Sequence, residues 1–240
     1  DWWEVDASYS ASSVPGWSSP GAASLAATSV VIDSSVATDA YQPTSTAYWF
    51  SNLASLTSVT GLTNVKTANI ASVAHMFDGC AALQDPALPT SFKDAPIRDL
   101  SGLFKGCAKQ TPSGLPTGFT VAATTNLTSL YEGCTTLKKL NLTGLTTTSA
   151  TMMTDMFKGD TALEEVTLPK TFQFATNSEF PFTEATATSN FWIATSATKL
   201  GDAASWNSFL VGLADDASPH TFTRANITLT FEAQDGKYGT

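Results

Sequence analysis

The chain has little charge. Asp, Glu, Lys and Arg supply only 14 % of its 240 residues, against about a quarter in an ordinary soluble domain. Basic residues are the scarcer sign: 12 Lys and Arg stand against 21 Asp and Glu, for a net charge of −9. With no basic cluster to override that balance, a phosphate backbone is repelled, and nucleic acid is not an expected partner. An anionic membrane surface is disfavoured for the same reason. No apolar run reaches the ~18 residues that span a bilayer, so no membrane insertion is expected within the chain.

Chemistry-bearing residues are equally sparse. His75 and His220 are the only histidines, and two distant histidines without a partner motif assemble neither a zinc site nor a Ser-His-Asp triad. His75 abuts the apolar Met76, and His220 follows a proline in what reads as a loop. Cys80, Cys107 and Cys134 are too few and too regular for a disulfide framework, and none has a second cysteine at metal-site spacing. The acidic pairs Glu164-Glu165 and Asp215-Asp216 do not suggest a glycosidase. Neighbouring strand residues point to opposite faces and cannot oppose one another across a cleft. The D-x-[DN]-x-[DN]-G pattern of a calcium loop is missing. No catalytic residue, metal or cofactor is expected, and the chain is read as a non-enzyme. Because it opens on Asp1 without a signal-peptide pattern, its targeting segments are expected to lie outside it.

What the sequence does contain is a repeat. WFSNLASL from Trp49, MFDGCAAL from Met76, LFKGCAKQ from Leu103, LYEGCTTL from Leu130 and MFKGDTAL from Met156 align without gaps. Their aromatic residues, Phe50, Phe77, Phe104, Tyr131 and Phe157, are 27, 27, 27 and 26 residues apart. Upstream of each aromatic, apolar residues recur three and four positions apart, as in Ile70, Val73, Met76 and Phe77. That spacing predicts one or two helical turns. Gly79, Gly106, Gly133 and Gly159 follow at a fixed offset, where a left-handed glycine would end such a helix. Downstream, Leu137, Leu140 and Leu142, then Leu163, Val166 and Leu168, keep the spacing L-x-x-L-x-L. A period of two at its end predicts a short strand with one buried face. Turns are expected at LPTSF, LPTGF and LPKTF, from Leu88, Leu115 and Leu168.

One short strand and one helical turn cannot bury their own apolar face, whereas stacked copies can. The expected fold is therefore an α/β leucine-rich-repeat solenoid of about five 26–27-residue units, with short parallel strands and short helices. At this period, M-F-x-G-C-x-x-L followed by L-x-L resembles the BspA-like leucine-rich-repeat surface proteins of bacteria. The resemblance is strongest from Trp49 to Phe172; the chain departs from the pattern at Pro86, Gln110 and Asp160. It implies an exported protein involved in adhesion or surface display.

The unit array is assigned to residues 49–176. Residues 1–48 read as an N-terminal cap with a strand near 29–33, and 177–240 as a C-terminal cap or small α+β extension. In the latter, a helix is expected around ASWNSFLVGLA from Ala204 and a strand in TFTRANITLTFEA from Thr221. An open array end would expose both core and unpaired backbone, which is why caps are needed. The repeated residues are explained by stacking, so a ligand face must use outward strand positions. The candidates are Ser58, Thr60, Asp85, Lys139, Asn141, Glu165 and Thr167. The expected role is extracellular adhesion, protein–protein binding or display, with a host or bacterial surface protein or glycan as partner. A carbohydrate-binding accessory module is the alternative, with Trp2, Trp3 or Trp17 as its aromatic platform.

Overall fold

The computed structural model describes residues 15–18, 21, 23–37, 41–84, 88–108, 115, 126–142, 145, 152–163, 165–168, 190–193, 199–200 and 220–226. Short strands form near 29–33 and at both L-x-x-L-x-L segments. β1 (Ser29–Val31) pairs in parallel with β2 (Ser58–Thr60), with Val30 opposite Val59. β3 (Lys139–Asn141) pairs in parallel with β4 (Glu165–Leu168), with Leu140 opposite Val166. The alternation puts Val59 and Leu140 inside and their neighbours outside. The strand positions near Asp85, and those of the third unit, lie outside the described residues.

The segments around the aromatics are where expectation and structure part. No α-helix forms among the described residues. Residues 47–52, 74–79, 101–106, 128–133 and 154–159 are instead runs of tight turns. Each run holds two left-handed residues, two positions before and two positions after the aromatic. The first set is Tyr48, His75, Gly102, Ser129 and Asp155, with φ from 54° to 61°; the second is Asn52, Gly79, Gly106, Gly133 and Gly159, with φ from 64° to 78°. Such residues interrupt a right-handed helix. The apolar three-residue spacing survives because these turns bond i to i−3, as in Met76 to Val73 and Cys80 to Phe77.

Alternate amides do something a helix cannot. In unit one, the N–H groups of Thr46, Tyr48, Phe50 and Asn52 donate to the carbonyls of Ser72, Ala74, Met76 and Asp78 in unit two. The same four positions repeat this between units two and three, three and four, and four and five, at 2.7–3.0 Å. A row of parallel bridges, Ser45 to Ser72 to Asp99 to Asn126 to Met152, marks the start of each turn run. The first four bridge residues also turn the chain, because each side chain accepts the amide two residues on. The distances are 3.1 Å for Ser45, 3.2 Å for Ser72 and 3.0 Å for both Asp99 and Asn126. This is the turn chemistry of Asx and Ser side chains. Met152, in the fifth unit, has no side-chain oxygen to offer and stands 47 % exposed.

Between the turn side and the strand side lies the core. Phe50, Phe77, Phe104, Tyr131 and Phe157 stack as one column, with centroids 5.4, 6.0, 5.5 and 6.0 Å apart. All are buried, and each stacked pair contributes roughly 0.5–1.5 kcal/mol beyond its area. Leu53, Leu56, Ile70, Met76, Leu83, Leu100, Leu127 and Leu137 pack around them.

The far end of the sequence joins the same sheet. β7 (His220–Asn226) lies antiparallel to β4, with Thr167 opposite Thr221, and β5 (Asn190–Ile193) and β6 (Lys199–Leu200) follow in the order β3-β4-β7-β5-β6. His220, expected in a loop, is the first residue of β7. The helix expected from Ala204 and the end of the strand expected beyond Asn226 lie outside the described residues.

Candidate functional site

Alternation along the strands sets the proposed ligand face. Ser58 and Thr60 flank buried Val59, and Lys139 and Asn141 flank buried Leu140; all four are exposed. Glu165 sits in register between Lys139 and Thr223, and half-buried Thr167 between Asn141 and Thr221. The structure thus brings Lys139, Asn141, Glu165 and Thr167 together on adjacent strands. Ser58 and Thr60 lie on the β1–β2 pair. Asp85 is outside the described residues. Trp2 and Trp3 are as well, while Trp17 is half-buried and its indole N–H donates to the Trp49 carbonyl.

A second row of polar side chains, one that sequence reasoning missed, follows the turn edge. Tyr48 stacks on His75 at 4.8 Å between centroids, and His75 Nδ1 lies 2.8 Å from Asp78 Oδ2. Farther along, Lys105 Nζ donates to Glu132 Oε2 at 2.7 Å, and Lys158 Nζ lies 3.4 Å from Asp155. One position after each aromatic the residues read Ser51, Asp78, Lys105, Glu132 and Lys158, so sign alternates from the second unit onward. Burial alone would raise the Glu132 carboxyl, but its bonds to Lys105 and Ser129 and the charges of Lys105 and Lys158 hold it below the usual range. The row neutralises itself along the stack. Partly exposed pairs of this kind contribute about 0–1 kcal/mol each, and of these Lys105–Glu132 is the one that joins two units. The signal was present in the sequence as opposite charges one period apart.

Three positions after each aromatic runs an inner column: Leu53, Cys80, Cys107, Cys134 and Asp160, all buried. The thiols are free. Cys80 donates to the Phe50 carbonyl at 3.0 Å, Cys107 to Phe77 at 3.3 Å and Cys134 to Phe104 at 3.2 Å. Burial pushes the Cys80 thiol up to about 12 and raises the other two likewise, so these sulfurs act as small apolar side chains with one weak donor. Asp160 differs. Its Oδ1 accepts the Cys134 amide at 2.8 Å, while its Oδ2 is buried without a partner. Burial, chiefly, pushes this carboxyl up to about 8; Glu132 adds to the rise, and the Cys134 and Gly133 amides oppose it. Among the described residues no group of three or more His, Cys, Asp or Glu is placed to hold a metal ion, and no helix is long and apolar enough to cross a membrane.

These columns define a protein of tandem units in which equivalent residues meet equivalent residues. The chain belongs to the family described as "Mycoplasma protein of unknown function, DUF285", whose model matches residues 44–167 and, overlapping, 90–193. The first match opens one residue before Ser45 and closes within β4, so it takes in all five aromatic units. No curated protein and no solved structure matches the chain.

Proposed function

We propose that the chain is a leucine-rich-repeat solenoid of the BspA-like kind, serving outside the cell as a non-catalytic module for adhesion, protein–protein binding or display. In this reading the array runs over 49–176, and the flanking segments 1–48 and 177–240 close its ends. One observation carries it. The residues that recur in every unit are consumed in stacking and turns, and the side chains that vary between units are the exposed ones on the strands. A repeat that spends its constant positions on scaffold leaves recognition to the variable face. The partner class is a surface protein or glycan of a host or of another bacterium.

The test is a binding screen of the purified chain against immobilised matrix proteins and a glycan library, repeated with a Lys139→Glu/Asn141→Arg variant. Binding that drops at least tenfold in the variant, at unchanged melting temperature, supports the strand face. Binding indifferent to these changes and to Ser58→Arg/Thr60→Arg places recognition elsewhere. No binding to any probe sinks adhesion and leaves display.

A further inference from the structure

The inner column obeys a rule that its last member meets in only one protonation state. From unit two to unit four, the side chain three residues after the aromatic donates to the carbonyl of the aromatic one unit earlier, as Cys80 does to Phe50, Cys107 to Phe77 and Cys134 to Phe104. The next donor in this series is residue 160, and the next acceptor is the Tyr131 carbonyl. Asp160 uses Oδ1 to take the Cys134 amide, which leaves Oδ2 buried and unpartnered. A neutral carboxyl has one O–H to give; a carboxylate has none.

We propose that Asp160 is a proton-operated lock between the fourth and fifth units, closed when Oδ2 carries a proton that it donates toward the Tyr131 carbonyl. Loss of that proton to solvent leaves an anionic oxygen unpaired in the core, which opens the junction. The titratable groups facing Asp160 from unit four are Tyr131, Glu132 and Cys134, and Lys158 lies on its own turn run, two residues before it. Glu132 is tied to Lys105, and what acts on the Asp160 carboxyl is burial, the Cys134 and Gly133 amides and Glu132, with no cation among them. β4 belongs to the fifth unit, and β7 pairs onto β4. Deprotonation therefore loosens the hold of the first four units on the strands at the end of the sheet.

The direction of the pH effect follows from where the proton sits. An ordinary aspartate titrates near ~3.9, and burial raises Asp160 to about 8. Between those values the closed form holds a proton that the opened form releases, so stability is full below the lower value, falls as pH rises through the window and levels off above about 8.

Two measurements on the intact chain test this. Carbon-detected NMR is expected to show the Asp160 Cγ resonance titrating at least two pH units above an ordinary aspartate. Hydrogen exchange, corrected for base catalysis, is expected to show the Tyr131 and Gly133 amides, which bond to the fifth unit, opening more with pH. The rise is up to about tenfold per unit between pH 5 and pH 8. The Phe77 and Gly79 amides, which bond unit two to unit three, are expected not to follow. Asp160→Asn, which keeps the acceptor and supplies a permanent donor, and Asp160→Cys, which restores the thiol, should each abolish the dependence. An ordinary titration midpoint in the wild-type chain overturns the proposal even if neither variant folds. So does an unchanged pH dependence in the variants.

Discussion

Gly102 offers the most direct test of how one unit constrains the next. Its φ is +58°, which by itself suggests that only glycine fits. The equivalent positions in the other units argue otherwise, because Tyr48, His75, Ser129 and Asp155 adopt the same left-handed conformation with side chains attached. What singles out position 102 is its neighbour. A Cβ there would lie inside van der Waals contact of Cε1 and Nδ1 of the His75 ring, which is held by its stack on Tyr48 and its contact with Asp78. Gly102→Ala should therefore cost about 1–2 kcal/mol for the left-handed alanine. Displacing the ring forfeits roughly 0.5–1.5 kcal/mol of stacking and about 0–1 kcal/mol of the half-buried contact with Asp78. The expected total is about 1.5–4.5 kcal/mol. In a His75→Ala background the ring is gone, and the same substitution should cost only the backbone share of about 1–2 kcal/mol. Urea unfolding of the two single variants, the double variant and the wild type measures the coupling. Equal cost in both backgrounds would refute the steric reasoning and return the glycine to a purely conformational role.

Three further substitutions or reactions follow from the columns. Tyr131→Phe removes a hydroxyl that is buried without a partner in a column otherwise filled by phenylalanine. It should raise stability by about 1 kcal/mol in thermal or urea unfolding, and a loss of that size would show the hydroxyl to be bonded. Met152→Asn restores the side-chain acceptor that Ser45, Ser72, Asp99 and Asn126 supply in the other units. The expected gain is about 0.5–1 kcal/mol, again read from the unfolding midpoint. The thiols should resist a chromogenic disulfide reagent at pH 8 in the folded chain, since a thiol raised to about 12 is thiolate in only about one molecule in ten thousand there. All three should react at once in denaturant, and rapid titration of any one in the native protein would contradict its burial.

The parts of this fold that could be read in the sequence are those governed by period and alternation. Phe50 through Phe157 announced the stack, L-x-x-L-x-L announced β3 and β4, and the exposed strand residues Ser58, Thr60, Lys139 and Asn141 fall where alternation puts them. The turn runs were misread as helix, for a physical reason. Apolar residues three apart suit both an i→i−4 helix and a chain of i→i−3 turns, and what separates the two is left-handed backbone at ordinary side chains such as Tyr48, His75, Ser129 and Asp155. Nothing in those residue types advertises it. The recurrence of Ser, Asp or Asn five positions before four of the aromatics did carry a turn signal. Asp160 was visible only as a departure from cysteine; that it is a buried carboxyl with one oxygen satisfied depends on the Cys134 amide, one unit away in space.

The two edges of a unit differ in what they ask of a neighbour. On the strand side, hydrogen bonds run both ways: Ile32 donates to Thr60, and Thr57 donates to Thr28. A strand edge therefore has donors and acceptors to offer a partner of either direction, and β7, running opposite to β4, pairs with it. The turn side is directional. The four alternate amides of each turn run donate to carbonyls in the next unit, while at the entry Ala71 donates back to Thr44 and Arg98 back to Ala71. Within the runs these peptide dipoles, about 3.5 D each, therefore add head to tail along the stack in the manner of a helix. Amides face the C-terminal end and carbonyls the N-terminal end. At the first unit the carbonyls of Ser45, Ala47, Trp49 and Ser51 stand where later units accept. A group that covers that end must donate and need not accept. The indole of Trp17, with an N–H and no acceptor, meets this requirement at the Trp49 carbonyl, and there a side chain does the work that a preceding unit's amide does elsewhere in the array.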